Sequence, residues 1–153
     1  MGRSAASKAA FQQWPQDVAF GLLGELVGYA IRRAQIAIYR DFDRSIPDLT
    51  PPQVAALILI DANPGMNQTR LGTVMGVNRA TIMALINRLV AQNLVQRMPS
   101  AHDKRANVLA LTVRGARRLK KLVVETAAHD RRISQRLSAA EIKRLCSLLG
   151  KLG

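Results

Sequence analysis

The fold of this chain is decided by residues 66–112, which read MNQTRLGTVMGVNRATIMALINRLVAQNLVQRMPSAHDKRANVLALT. The first half of this stretch holds two short helical patterns that are separated only by Met75, Gly76 and Val77. A break of that size is typical of a turn between two packed helices, not of a linker between independent units. In the second pattern one face is apolar and the other polar. The apolar positions are Ile82, Leu85, Ile86 and Leu89. We therefore predict a helix-turn-helix whose second helix leaves one face open to a partner.

Two strand-like runs follow the second helix. Residues 94–98 and 106–111 are apolar or β-branched, and they flank the charged segment 99–105. This pattern predicts a β-hairpin with a loop longer than the usual two to five or so residues. A helix pair alone could belong to an all-α core, but the hairpin with its charged tip favours a winged helix.

The segment from Asp103 to Thr112 is similar to the Asp-x-Arg and Leu-Thr signature of the MarR family of transcriptional regulators. Further matches stand where that family has its helix starts, recognition helix and first wing strand. They are Leu49, Thr50, Gln53, Leu71, Ala80, Thr81, Ile82, Arg88, Leu89, Leu94, Val95 and Arg97. The resemblance implies a mainly α (α+β) fold in one domain over residues 1–153. Its winged helix-turn-helix would span 49–112, between long N- and C-terminal dimerisation helices at 17–46 and 113–153.

Three positions depart from the family pattern. Gly72 stands where Ala is common, and Asn93 stands where Gly often ends the recognition helix. Asn is the next most tolerant residue for a left-handed helix end, so the second change is mild. Ala84 replaces a residue that is often polar or basic, so the operator sequence cannot be carried over from the family.

Charge is the most distinctive compositional feature. The chain has 23 Lys and Arg against 10 Asp and Glu, a formal net charge of +13. Such an excess indicates a polyanionic partner, and a winged helix favours nucleic acid over a membrane surface. No window approaches the roughly 18 apolar residues of a membrane span. Because no signal-peptide pattern opens the chain either, we expect a cytoplasmic protein with no membrane partner.

The terminal segments predict long amphipathic helices. Residues 17–45 form one helical pattern before Pro47, and Thr112 opens another. Capping boxes stand at Thr50–Gln53 and Ser138–Glu141, and the last helix carries an apolar stripe. The stripe comprises Ile142, Leu145, Cys146, Leu149 and Leu152. A lone monomer would leave these faces exposed, so we expect a homodimer.

The polar face of the second helix supplies the candidates for contact with double-stranded DNA in the major groove. They are Asn78, Arg79, Thr81, Met83, Asn87 and Arg88. The family resemblance adds the wing tip, where Arg105 would enter the minor groove, Asp103 would orient an arginine and Lys104 would meet phosphate. Two such subunits would read a palindromic operator.

Arg33, Arg40 and Arg44 form a narrow stripe beside Leu26 and Tyr29 on the first helix. These cations could pair with carboxylates of the same or a partner subunit, or they could bind an anionic ligand. The resemblance implies ligands of the second kind, because relatives bind small aromatic acids or acyl-CoA thioesters. The stripe is therefore the candidate effector site.

The sequence offers no metal-ligand or nucleophile pattern, so we expect neither a cofactor, nor a metal, nor an enzyme. His129 with Asp130 is interpreted as a helix-surface pair. Cys146 is interpreted as a buried structural thiol more readily than as a sensor. The leading hypothesis is a ligand-responsive transcriptional repressor. The alternative is an architectural nucleic-acid-binding protein that senses nothing.

Overall fold

A computed structural model describes residues 17–99 and 107–152. The chain divides into two compact units, residues 1–40 and 41–153. Six α-helices and two strands follow one another in the described residues. They are α1 Val27–Ser45, α2 Pro51–Ala62, α3 Gln68–Val74, α4 Arg79–Ala91, β1 Val95–Pro99, β2 Asn107–Leu111, α5 Val113–Ser134 and α6 Ala139–Leu149. The mainly helical fold and the winged helix-turn-helix are confirmed.

The first helix begins later than predicted. Gly21–Glu25 form a short 3₁₀ helix, Leu26 is extended, and α1 starts only at Val27. Gly21 has a φ of +49°, a left-handed conformation that glycine adopts without steric cost. The prediction of one helix from Asp17 was wrong, because the extended backbone of Leu26 interrupts it and helical periodicity does not show such a break. Leu26 consequently precedes the helical stripe instead of belonging to it.

Helix α2 is the hub of the core in the second unit. Pro51 occupies its first position, and the backbone N–H of Thr50 donates to Oε1 of Gln53 over 2.8 Å, as the predicted capping box requires. Five of its twelve residues are buried, including Ala56 and Leu57 at 0% exposure. The helix is therefore enclosed by its neighbours on more than one side.

The helix-turn-helix is held by caps and by one close contact. Asn67 and Asn78 cap α3 and α4, and Gly76 turns the chain between them with a φ of +65°. A Cβ at Gly72 would stand 3.1 Å from Cγ2 of Ile82, which is tight. Gly72 thus lets α3 lie unusually close to α4.

The wing leaves α4 through Asn93, whose φ of 55° is the left-handed end expected from the sequence. Strands β1 and β2 are antiparallel, from the pair Val95 and Leu111 to the pair Pro99 and Asn107. The backbone N–H of Leu109 donates to the carbonyl of Met66 over 2.8 Å. This bond fixes the base of the wing to the segment that precedes α3.

Helix α5 begins at the base of the wing. Thr112 caps it by accepting from the Gly115 N–H, and its hydroxyl donates to the Asn93 carbonyl. Gly115 approaches the backbone of Leu94 so closely that an added Cβ would lie 1.9 Å from the Leu94 oxygen. Only glycine fits there without movement of the chain.

Helix α6 contrasts with the rest of the second unit. Its predicted capping box is present, since the Ser138 N–H donates to Glu141 over 2.8 Å. None of its residues is buried, and the apolar side chains of the predicted stripe are all exposed. Cys146 is also exposed, so its interpretation as a buried thiol was wrong for the single chain. No helix in the described ranges is long and apolar enough to cross a membrane.

Candidate nucleic-acid interface and effector site

The outward face of α4 brings the predicted DNA-contacting residues together. Ile82, Leu85, Ile86 and Leu89 are buried against the core, which turns the polar side of the helix to solvent. The exposed side chains are Asn78, Arg79, Thr81, Met83, Asn87 and Arg88. Because four buried side chains anchor the inner face of α4 in the core, the helix holds these exposed residues in fixed positions.

Asn78 has a structural task at the start of α4. Its Oδ1 accepts a hydrogen bond from the backbone N–H of Thr81 over 2.9 Å. Its side-chain amide N–H₂ group remains able to donate to a phosphate or a base. The first turn of α4 holds no acidic residue, so the positive end of the helix is available to an anion.

Arg97 of β1 is a residue that sequence reasoning missed as a contact candidate. Its guanidinium donates to Oδ1 of Asn87 over 2.7 Å and to Oε1 of Gln68 over 3.4 Å. The arginine thus joins the wing, α4 and α3 in one polar network. The only signal in the sequence was a cation in the first wing strand, and periodicity does not show which helix that strand faces.

The segment of chain that carries this network contains no acidic residue. The chain has no Asp or Glu between Asp61 and Asp103, and this interval contains Arg70, Arg79, Arg88 and Arg97. Arg70, Arg79, Arg88 and Arg97 are exposed. A segment with several exposed arginines and no acidic residue suits the phosphate backbone of a duplex. The predicted wing-tip residues Asp103, Lys104 and Arg105 lie outside the described residues.

The first unit holds most of the predicted effector stripe. Tyr29, Arg33 and Arg40 lie along one side of α1, where Tyr29 and Arg33 are half-buried and Arg40 is exposed. The ring of Tyr29 lies 6.2 Å from that of Phe20, centroid to centroid. Leu26 is exposed just before the helix. An aromatic pair beside cations is a suitable lining for an anionic aromatic group.

Arg44 belongs to the second unit, where it has an anionic neighbour. Its Nη2 lies 3.8 Å from Oδ1 of Asp41, and the Arg44 side chain is 78% exposed. A pair this long and this exposed contributes little to stability. Arg44 thus has a carboxylate partner within its own chain, as the ion-pair alternative expected.

Asp41 is the centre of a network with α5. Its Oδ2 lies 2.7 Å from Nδ1 of His129 and 3.0 Å from Nη2 of Arg132. Hydrogen bonds from Arg132 and His129 lower the pKa of Asp41 to about 2. The His129 ring is buried and meets Phe42 edge-on, with centroids 5.4 Å apart. The prediction that His129 forms a surface pair was wrong, because its helical position faces α1.

A second network stands nearer the winged helix. Arg118 of α5 donates through Nε and Nη2 to both carboxylate oxygens of Asp48, over 2.8 and 2.7 Å, and through Nη1 to Glu125 over 2.8 Å. The Arg118 hydrogen bonds lower the pKa of Asp48. Two-point pairing of this kind fixes α5 against the loop that precedes α2.

Comparison with known proteins agrees with this arrangement. Residues 48–106 match the sequence model of the MarR family. The chain is 36% identical over 134 residues to a putative transcriptional regulatory protein for the hcr operon of Thauera aromatica, covering 86% of this chain and 80% of that protein.

Two solved structures of the transcriptional repressor CouR are similar to this fold. The one bound to a 23-mer DNA duplex has a TM-score of 0.82 and 34% identity, covering 89% of this chain and 98% of CouR. The one bound to p-coumaroyl-CoA has a TM-score of 0.82 and 33% identity, covering 89% and 97%. The chain therefore belongs to the MarR family. It is a DNA-binding transcriptional regulator and not an enzyme.

Proposed function

We propose that this protein is a homodimeric repressor that leaves a palindromic operator when it binds a small anionic aromatic compound or its CoA thioester. The observation that carries the proposal is the likeness to CouR, which has been solved both on a DNA duplex and with an aromatic CoA thioester. The remaining support comes from three surfaces of this chain.

The DNA surface consists of the exposed residues on α4 together with the exposed arginines of the segment that lacks acidic residues. The recognition helix would enter the major groove, with Arg79 and Arg88 as its two cations. Arg97 would act behind this surface by holding Asn87 in place. The wing tip, with Asp103, Lys104 and Arg105, would contact the adjacent minor groove.

The dimer surface is the apolar side of α6. Leu145, Leu148 and Leu149 are each more than 40% exposed in the single chain. Contiguous apolar side chains on one helix mark an interaction site, and a second copy with two-fold symmetry is the usual occupant. Such a dimer would place two recognition helices about one turn of DNA apart, roughly 10 base pairs.

The effector surface is the stripe of α1 with Leu26, Tyr29, Arg33, Arg40 and Arg44. The aromatic and aliphatic side chains would hold the body of the ligand, and the guanidinium groups would hold its carboxylate or phosphates. A ligand releases the operator only if it binds the DNA-incompetent conformation better than the DNA-bound one.

The test combines binding and release. We expect aromatic acids or their CoA thioesters to bind in calorimetry and to release a labelled palindromic duplex, while a random duplex at matched salt binds more weakly. Arg33→Ala and Arg40→Ala should weaken effector binding by about 10-fold or more. Arg32→Ala is the matched control, because Arg32 is an exposed cation of the same helix on another face.

The outcomes separate the two hypotheses. Equal affinity for palindromic and random duplexes would favour the architectural protein. Operator-specific binding that no aromatic acid or thioester relieves would reject the effector class. If the effector releases the Arg33→Ala and Arg40→Ala variants from the operator as readily as it releases Arg32→Ala, the effector binds elsewhere.

A further inference from the structure

A concave groove of about 300 Å³ lies in the second unit beside the first two turns of α5. Four cations of that helix line it, namely Arg114, Arg117, Arg118 and Lys121, and Asp48 is the one acidic residue of the lining within the described parts of the chain. The cations are spaced three, four and seven residues from Arg114, so they share one face of the helix. Among the described residues, the lining carries three more positive charges than negative ones.

The four cations differ in whether they form ion pairs with the described residues. Arg118 is paired with Asp48 and Glu125. Arg114, Arg117 and Lys121 are exposed and form no ion pair with any residue in the described ranges. Three positive side chains therefore face the groove without a carboxylate partner among those residues.

This placement opposes helix stability. Like charges three or four residues apart repel each other, and cations at a helix N-terminus face the positive end of the helix dipole. No acidic residue in the first turn of α5 offsets them. The groove thus concentrates a positive potential that an anionic ligand would neutralise.

The floor of the groove is apolar. Leu49 and Leu94 line it, and each is only 5% exposed. An apolar floor beneath a cationic rim suits a ligand with a hydrophobic or planar body and several negative charges. A monocarboxylate would neutralise only one of the three excess charges.

We infer that this groove binds a small organic ligand that carries a diphosphate or two phosphate groups. The paired Arg118 would form one fixed wall, Arg114, Arg117 and Lys121 would contact the phosphates, and the organic part would lie on Leu49 and Leu94. This site goes beyond the proposed function, because it uses no residue of the α1 effector stripe or of the DNA surface.

Position separates the groove from the recognition surface. Its wall includes Gln92, the residue that ends α4. Helix α4 has 13 residues, so Gln92 lies about 20 Å along the axis from the N-terminal turn where base contacts are expected. A small ligand is thus favoured over the phosphates of a bound duplex.

The test is calorimetric titration of the full chain with ADP, with adenosine as the probe that lacks phosphate. The variant Arg114→Ala/Arg117→Ala/Lys121→Ala removes the three unpaired cations. The matched control Arg131→Ala/Arg136→Ala/Lys143→Ala removes three exposed cations elsewhere on α5, α6 and their connection. Thermal unfolding of both variants checks that they fold, and the single variant Arg117→Gln carries the test if the triple variant does not.

We expect ADP to bind the wild type and the control variant saturably, and to bind the groove variant about 10- to 100-fold more weakly. Adenosine should not bind at the same concentrations. Equal ADP affinity for the two triple variants would overturn the proposal. So would a groove variant that binds ADP normally but loses operator affinity with a shallower salt dependence, because the cations would then serve the DNA backbone.

Discussion

The winged helix and α6 are built from similar apolar residues, but they use them in opposite ways. From α2 to the first half of α5, residues such as Leu57, Leu71 and Leu122 are wholly buried in one core. In α6, by contrast, Leu145 and Leu149 remain 46% and 44% exposed, although the helix is well capped. The winged helix therefore buries its apolar residues within one chain. Helix α6 exposes an apolar face, which is the kind of surface that binds a partner.

The largest effect is expected from placing charged residues on the apolar face of α6. We expect Leu145→Glu/Leu149→Glu to dissociate the proposed dimer and to weaken operator binding by about 10²- to 10⁴-fold, because the two half-sites would no longer be bound by one linked molecule. Sedimentation without DNA and a gel-shift titration measure the two effects. The winged helix should keep its fold, since both side chains lie outside its core.

Ser147→Glu is the control for that experiment, because Ser147 is exposed on the opposite side of the same helix from the stripe. We expect this variant to remain a dimer. If the double variant sediments as the wild type does, the apolar face of α6 is not the subunit interface.

Local chemistry made the winged helix predictable from the sequence. The capping residue Thr50 set the start of α2, and Asn93 marked the end of the recognition helix through its left-handed conformation. The presence of the hairpin followed from two apolar runs around a charged loop. In each case the signal lies within a few residues of the feature that it specifies.

Features that depend on distant residues were not predictable in this way. His129 is buried because Asp41 and Phe42, some 88 positions away, come to face it. Arg97 reaches Asn87 only once the wing is paired and packed beside α4. The late start of α1 follows from the extended backbone of Leu26, and an apolar residue in a helical pattern gives no sign of such a break.

Two glycine substitutions compare the packing of the winged helix with that of α6, and we expect a smaller effect from them. Gly115→Ala would place a methyl group 1.9 Å from the Leu94 oxygen at the base of the wing, where the backbone cannot move without losing the bond from the Thr112 N–H to that oxygen. We expect it to destabilise the protein by about 1 to 3 kcal/mol or more. Urea unfolding followed by circular dichroism measures the loss.

Gly150→Ala is the matched substitution at the end of α6. Its new Cβ would meet only ordinary contacts at 3.5 Å or beyond, and its φ of −64° suits alanine. We expect a change within about 0.5 kcal/mol. Similar losses for the two substitutions would mean that α5 does not approach Leu94 as closely as described.

The smallest effect is a pH dependence in the network that joins the end of α1 to α5. Because Arg132 and His129 hold the pKa of Asp41 at about 2, below its ordinary value of 3.8, the unfolded chain takes up a proton at Asp41 before the folded chain does. The contribution of Asp41 to stability is therefore fully present above about pH 4 and is lost as the pH falls towards 2. Asp41→Asn should lower the urea midpoint most near pH 7, and its difference from wild type should shrink between about pH 4 and pH 2.

The control is Asp43→Asn, since Asp43 is exposed on the same helix and pairs with no cation in the described residues. A difference between wild type and Asp41→Asn that stays constant from pH 7 to the acid limit would show that the carboxylate of Asp41 is not held ionised by Arg132 and His129.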